Sequence, residues 1–397
     1  MAKLKIALFM YPLLTEGGGA EKYFIELANN LSEKKDVVID VVTMDVNFFK
    51  FFTFLLNFYW LRPFARVDAL GREKEADIRK RLGRAKWVNS SLKDLKKNLE
   101  QYDVIYSKNE IVDLALLKIV GYDNLPPVIV GVHTPVYYPQ TKSFSSKLHN
   151  FLYGGRFYRF LLDGVALVHA SNKFTADFFD KRFAVKTQLI PYPFSWSKRE
   201  MREIKKVTNK YCALGKFNIV FVGRLGEQKG ADLLPGIVDC ILQNNLSRKV
   251  CLNIFGRGED IWNKKIEELA DKYSWVRYWG HVEHRLMPLI LSKQNLLISL
   301  SRWEVLPYNI LEAQAAGLPV LAFNIPGPAD IIKNGQTGFL VKDETEMEEK
   351  LVEFINGRFS FNKFLIEKNI KKNFSPTVIY PKLYSMLTEA LNENKKT

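Results

Sequence analysis

The sequence predicts two α/β domains in tandem, each built on a doubly wound parallel sheet. Three observations carry that expectation. At 397 residues the chain is long for one domain and sufficient for two separate cores. Short β-branched runs alternate with longer segments of helical period, and those runs are nearly continuous in apolar residues, as in parallel strands covered on both faces. The alternation pauses once, in the polar and charged segment "PFSWSKREMREIKKVTNKYCALGK" (193–216), and then restarts.

Before the pause the candidate strands are "KIALF" (5–9), "VVIDVVT" (37–43), "DVIYS" (103–107), "VIVGVHT" (128–134), "GVALVHA" (164–170) and "TQLIPY" (187–192). After it come "FNIVFVG" (217–223), "KVCLNIFG" (249–256), "WVRYWG" (275–280), "NLLISLS" (295–301) and "LPVLAF" (318–323). The expected layout is an N-terminal Rossmann-like domain over 1–195, a linker over 196–216 and a C-terminal Rossmann-like domain over 217–374. A final amphipathic helix over 375–397 is expected to pack back on the N-terminal domain. Ser375 is its candidate cap and Pro376 suits the first helical position, whereas Pro381 argues for a kink or a later start. Ligands of such folds sit at the carboxyl ends of the strands, and a cleft between the two domains is the expected place.

Composition narrows the function. Hydrophobic residues make up 47% and charged residues 25%, the balance of a soluble globular protein. The three cysteines have neither paired nor metal-type spacing, which argues against a disulfide scaffold or a zinc site and fits a reducing compartment. No run approaches the roughly 20 apolar residues of a spanning helix, and the apolar start is too short for a signal peptide, so a cytoplasmic location is expected. A net charge of +15 favours anionic partners: nucleic acid, acidic lipid or phosphorylated small molecules.

Three motifs point to phosphate and sugar chemistry. "GGGAEK" (17–22) lies where the first strand hands over to a helix, whose early N–H groups lack intrahelical partners and favour anions. It fits neither the dinucleotide fingerprint nor the P-loop, and a flexible turn is the competing reading. "GRLGEQKG" (223–230) places Arg224 and Lys229 five residues apart in one glycine-punctuated loop, where two long cations can converge on a pyrophosphate. Solvated surface cations are the alternative. In "SRWEVLPYNILEAQAAGLPVLAF" (301–323), Glu304 precedes a helix begun near Pro307 and Glu312 lies inside it. Ionised carboxylates there suit ribose and sugar hydroxyls, although Glu312 alone is also explained by the helix dipole.

These motifs, with "IFGRGED" (254–260), "WGHV" (279–282) and "GQTGFLV" (335–341), resemble the retaining glycosyltransferases of family 4. The likeness spans nearly the whole chain and is strongest over 217–341. It implies the GT-B fold: two Rossmann-like doubly wound domains facing each other across a cleft. It implies that Arg224 and Lys229 hold the donor diphosphate and stabilise the leaving group, that Glu312 binds the donor ribose and that Glu304 contacts the transferred sugar. Gly18 and Gly19 would lie against the donor phosphates or the acceptor, Val282 beside the base, and Leu306 and Tyr308 along the donor. His133, after an N-domain strand, looks like the family's histidine near the transferred sugar, as base or as orienting group. Where many members have glycine and phenylalanine after the first glutamate, this chain has "EVLPYN", and Pro307 removes one backbone donor. No D-x-D occurs, so no metal and no cofactor is expected, the cations taking the metal's electrostatic place.

The acceptor is read from a different segment. "FFKFFTFLLNFYWL" (48–61) holds eight aromatic residues in fourteen, and 79–97 carries eight basic residues against one acidic. Phe51, Phe54, Phe58 and Trp60 suit a membrane interface, and Arg81 and Arg84 suit anionic headgroups. A buried helix beside a solvated basic helix is the alternative. The expectation is a peripheral protein on the cytoplasmic face, taking a saccharide or polyprenyl-phosphate-linked glycan as acceptor. A sugar-nucleotide epimerase of the same fold and a non-catalytic binding protein are the competing classes. Nucleic acid is not expected, because the basic residues are not interleaved with aromatics in a recognisable module.

Overall fold

The computed structural model describes residues 3–10, 19–44, 82–136, 144–197 and 210–394. Gly18, Phe51, Phe54, Phe58, Trp60 and Arg81, with the whole of 48–61, lie outside the described residues. Contacts group the chain into two units, Met1–Ile190 with Tyr380–Thr397 and Pro191–Ile379.

The first unit is a seven-stranded sheet: β1 (Leu4–Phe9), β2 (Val37–Met44), β3 (Lys86–Ser90), β4 (Val104–Lys108), β5 (Val128–Val132), β6 (Leu167–Ala170) and β7 (Thr187–Leu189). Their order is β3-β2-β1-β4-β5-β6-β7, every pair parallel. Between them run α1 (Gly19–Ser32), α2 (Leu92–Leu99), α3 (Ile111–Val120), α4 (Phe144–Gly154), α5 (Arg156–Leu162) and α6 (Lys173–Phe183). β4 and β5 are buried at every position; β5 accordingly carries no polar side chain, whereas β4 ends in the buried Ser107 and Lys108. The alternation of β2 records burial of one face more than the other.

The second unit repeats the plan with β8 (Phe217–Val222), β9 (Val250–Phe255), β10 (Val276–Gly280), β11 (Leu296–Ser299), β12 (Val320–Phe323) and β13 (Gly338–Val341), ordered β10-β9-β8-β11-β12-β13. Its helices are α7 (Leu234–Gln243), α8 (Asp260–Lys272), α9 (Met287–Ser292), α10 (Tyr308–Ala315), α11 (Pro328–Ile331), α12 (Glu344–Ile355) and α13 (Lys363–Phe374). A last helix, α14 (Pro376–Asn394), begins in this unit and continues as part of the first. It starts at Pro376 and runs through Pro381, so the later start allowed by the sequence does not occur. Within the first unit it is tied by the Tyr380 hydroxyl to the Glu26 carbonyl (3.2 Å) and by the Tyr384 hydroxyl to Asp36 (2.8 Å).

Three details differ from the sequence reading. β3 and β13 are strands that the apolar pattern does not list. Both are edge strands, covered on fewer sides, and β3 has only its last residue buried. β3 also breaks the basic stretch 79–97, which is part strand and part helix α2, with Arg84 exposed in the turn before β3. Residues 191–195, expected at the end of the first domain, pack in the second unit. Tyr192 stacks on Tyr308 (5.8 Å between ring centres, 13° between planes), and the Phe194 N–H donates to the Phe374 carbonyl. Pro307 caps α10 with an extended backbone (ψ 114°) and does not belong to its first turn.

Candidate active site

In both sheets the strand order reverses once, between β1 and β4 and between β8 and β11. Such a switch point opens a crevice at the carboxyl ends of the strands, where the two connecting loops diverge to opposite faces. In the second unit the charged groups singled out by the sequence follow these strands, and in the first unit His133 follows β5, next to β4.

In the second unit the loop after β8 carries Arg224 and Lys229, and the loop after β11 carries Glu304. Lys229 Nζ lies 2.5 Å from Glu304 Oε1, with Glu304's side chain only 8% exposed. The Arg224 guanidinium donates to Gln228 Oε1 (3.2 Å), and Gln228 Nε2 donates in turn to the Trp303 carbonyl (3.3 Å). Arg302 closes the same seam: its N–H donates to the Gln228 carbonyl, and its fork grips both carboxylate oxygens of Asp232 at 2.7 and 2.5 Å. A bidentate, partly buried pair of this kind fixes geometry as well as charge. The two loops are thereby one unit, which keeps two cations and a carboxylate together at the switch point.

Helix α10 starts directly behind this seam. Asn309 Nδ2 donates to the Val222 carbonyl (2.8 Å), tying the helix start to the end of β8. The loop 304–307 is pressed from the other side by Gly327, held at φ +91°. A Cβ there would lie 2.8 Å from the Val305 carbonyl oxygen and 3.1 Å from Glu304 Cβ, so only glycine fits. Leu306 is buried at 4%, which leaves its backbone as the part that can meet a ligand, and Tyr308 is held by its stack on Tyr192. Glu312, on α10, is buried except where His284 Nε2 approaches its Oε1 at 2.7 Å. Trp196 covers His284 at 5.8 Å between ring centres. Val282 is half-buried just beyond β10, where Trp279 stacks on Phe255 and donates to Asn253 (3.1 Å).

In the first unit His133 lies one residue past β5 and is 8% exposed. Asn109 Oδ1 accepts from its backbone N–H (3.2 Å) and from the Thr134 hydroxyl (3.1 Å), pinning the turn. The His133 ring meets the Tyr106 hydroxyl at Nε2 (3.0 Å) and packs on Tyr23 at 4.6 Å between ring centres. Burial above all, then the neighbouring His169 and Lys108, push its pKa well below the ordinary value for histidine, so the ring is neutral at pH 7. Gly19 is the first residue of α1.

The structure therefore brings Arg224, Lys229, Glu304 and Glu312 to one sheet end and seats His133 at the corresponding end of the other sheet. The sequence reading misses Gln228, Arg302, His284, Gly327 and the side-chain role of Asn309. Gln228 and Arg302 lie inside quoted motifs but carry no signal until the loops are paired. Asn309 and Gly327 have a local one, a polar residue at a helix start and a "PGP" turn. Among the described residues no helix is long and apolar enough to cross a membrane.

Residues 216–357 match the family model described as Glycosyl transferases group 1, about a third of the chain. A 41.2 kDa protein in the cps region of Klebsiella pneumoniae is 31% identical over 177 residues, 42% of this chain and 47% of that protein. The UDP-Gal:alpha-D-GlcNAc-diphosphoundecaprenol alpha-1,3-galactosyltransferase of Escherichia coli is 33% identical over 135 residues, 34% of this chain and 35% of that enzyme. The chain thus spans less than half the length of these curated relatives. Among solved structures, HepE from Anabaena in complex with UDP aligns with a TM-score of 0.69 at 16% identity, covering 98% of this chain and 100% of that one. The architecture is that of GT-B proteins.

Proposed function

Given a GT-B fold whose residues 216–357 form a Glycosyl transferases group 1 domain, we propose that this protein is a retaining, metal-independent hexosyltransferase. Its donor in this reading is a nucleoside-diphosphate sugar, UDP-glucose or a close relative, with GDP-mannose as the alternative. The observation that carries it is the cross-linked seam of Arg224, Lys229 and Glu304 at the switch point of the second sheet. UDP in the Anabaena structure supports a uridine donor.

In this reading a diphosphate takes Lys229 from Glu304 and gains the Arg224 fork. The N–H groups of Tyr308 and Asn309, at the start of α10, add partial positive charge, and Pro307 contributes none. Glu304 turns to the hydroxyls of the transferred sugar. Glu312, steadied by His284, accepts from the ribose hydroxyls. As the bond from sugar C1 to the phosphate oxygen breaks, these cations take up the charge that develops on the leaving group. The acceptor oxygen bonds to C1 on the same face, and its proton passes to the departing phosphate oxygen. His133 keeps the role that the resemblance gives it, beside the transferred sugar.

A lipid-linked saccharide is the proposed acceptor, supported by the Escherichia coli relative, which acts on a diphosphoundecaprenol-linked sugar, and by the aromatic and basic content of 48–61 and 79–97. The test is a panel of UDP-glucose, UDP-galactose, UDP-N-acetylglucosamine and GDP-mannose, assayed in EDTA with and without a lipid extract. Release of nucleoside diphosphate from one donor, enhanced by lipid and giving an α-linked product, is the expected result. Epimerised donor without transfer, or turnover that requires added divalent metal, counts against it. Anionic liposomes should carry the protein down on sedimentation, and failure to do so removes the membrane part.

A further inference from the structure

Helix α5 divides cleanly by face. Tyr158, Leu161 and Leu162 are buried in the core of the first unit. Arg156, Phe157, Arg159 and Phe160 are exposed. With about 100° between successive residues, these four share one arc of the helix, in the order Arg159, Arg156, Phe160, Phe157. Phe157 is 49% and Phe160 55% exposed, and Phe151 on the preceding helix α4 is 73% exposed. A lone surface hydrophobic is ordinary, but two phenylalanines beside two arginines on one short helix face form a patch that marks an interaction surface.

The charge around this face is one-sided. From residue 124 to 162 the sequence has four lysines and arginines and no acidic residue. Asp163, which follows α5, is paired with Lys118 at 3.6 Å, and the same ammonium lies 4.7 Å from the centre of the Phe160 ring. Arg159 donates to the Arg182 carbonyl (3.1 Å) and Arg182 to the Gly154 carbonyl (2.7 Å), so the face is held on its neighbours. Beside the arginines lies a concavity of about 760 Å³, lined by the exposed Arg156, Arg159 and Lys186 and by the buried Leu162 and Phe183. Its lining includes the residues just before β6 and β7, which places it at the sheet end opposite to the one where His133 follows β5.

We propose that this face docks on a bilayer surface rich in anionic phospholipid. Phe157 and Phe160 enter the headgroup layer, and Arg156, Arg159 and Lys186 take lipid phosphates. The local excess of cations calls for an anionic surface. Rings set beside arginines on the outer arc of a helix favour lipid over a folded acidic partner, because aromatic rings settle at headgroup depth and the guanidinium fork matches phosphate. The lipid held here is a docking partner and not the acceptor, since the concavity lies at the far sheet end from His133. The contact is separate from the one read from 48–61 and uses none of the groups assigned to the donor.

The test is co-sedimentation of the full chain with phosphatidylcholine vesicles, with and without phosphatidylglycerol, at low and high salt. The wild type is expected to sediment with the anionic vesicles and to be released by salt. Phe157→Ser combined with Phe160→Ser should weaken partitioning at least about tenfold through lost apolar burial. Arg156→Gln combined with Arg159→Gln should weaken it about 30-fold, at roughly fivefold per cation near a charged surface. All four positions are exposed, so melting temperatures should stay close to that of the wild type. If either pair does not fold, Phe157→Cys carrying an environment-sensitive fluorophore takes its place, the three native cysteines being buried. Its emission should shift to the blue on anionic vesicles, and an unchanged emission overturns the proposal.

Equal sedimentation of the wild type and both pairs overturns it, as does equal binding to neutral vesicles. A wild type that stays off the vesicles also overturns it, and if that protein self-associates through Phe157 and Phe160 the face belongs to a second copy. Phe51→Ser, Phe54→Ser and Phe58→Ser together test the 48–61 contact in the same assay. Loss of binding in that variant alone keeps the membrane reading and removes α5 from it. Titration of UDP and GDP into the same preparations reads the donor assignment on its own.

Discussion

In the second unit the groups gathered behind β8 and β11 are charged and paired with one another, and Lys229 stays in reach of solvent with a side chain 20% exposed. In the first unit the side chains of Tyr106, His133 and His169 behind β4, β5 and β6 are neutral, and Tyr106 and His169 are sealed in the core. The first arrangement suits a ligand that brings its own charge, because a cation already balanced by a carboxylate can exchange it for a diphosphate without ever standing unpaired. The second suits a ligand with hydroxyls only, since a fixed donor and acceptor pattern discriminates between neutral groups and a mobile charge does not. The difference teaches that one fold, used twice in a chain, can carry charged groups at one sheet end and neutral ones at the other.

The comparison breaks most visibly at Lys229. Lys229→Ala should lower kcat by about 100- to 1,000-fold, the range for removing a group that stabilises developing negative charge. Steady-state assays beside Tyr106→Phe should show the neutral change costing far less.

Stability against pH separates the units next. Because the folded pKa of His169 is depressed to about 4, the unfolded chain takes up the proton first as pH falls. Its contribution is fully present above about pH 6.5 and is lost as pH drops towards 4, on the order of 3 kcal/mol in all. Urea denaturation at pH 7.5 and 4.5 should show a smaller pH dependence in His169→Gln than in the wild type. His133, shifted in the same direction, adds to the wild-type slope.

A smaller effect is expected at Gly327, where alanine has to adopt φ +91° and displace the loop carrying Glu304. Gly327→Ala should cost about 1–3 kcal/mol of stability and raise the donor KM. Thermal melting with donor titration checks both. The smallest change belongs to His284. Its loss leaves Glu312 in place but less fixed, and His284→Ala should raise the donor KM by only about five- to tenfold with little change in kcat, as for one hydrogen bond.

How far the sequence carries depends on the same contrast. The central strands declare themselves because burial on both faces demands apolar residues at every position, as in "VIVGV" of β5. β3 does not, since only its last residue is buried and the others need not be apolar, and β13 is an apolar run of only four residues. Arg224, Lys229, Glu304 and Glu312 stand out as charges punctuated by glycine and proline in otherwise apolar surroundings. Tyr106 and His169 sit inside strands that read as ordinary core, and Gly131 looks like a weak point in one. Only the register of β4, β5 and β6 shows that the three belong together. Likewise, His284 gains meaning only once the fold sets it against Glu312.

Calorimetric titration of UDP and GDP in EDTA addresses the central claim most directly, with wild-type protein, Lys229→Ala and Tyr106→Phe run side by side. One nucleoside diphosphate should bind the wild type, bind Lys229→Ala at least about tenfold more weakly as a charge-assisted contact is lost, and bind Tyr106→Phe unchanged. Failure of both nucleotides to bind the wild type, or equal binding by Lys229→Ala, would contradict the assignment of the charged seam to a donor diphosphate.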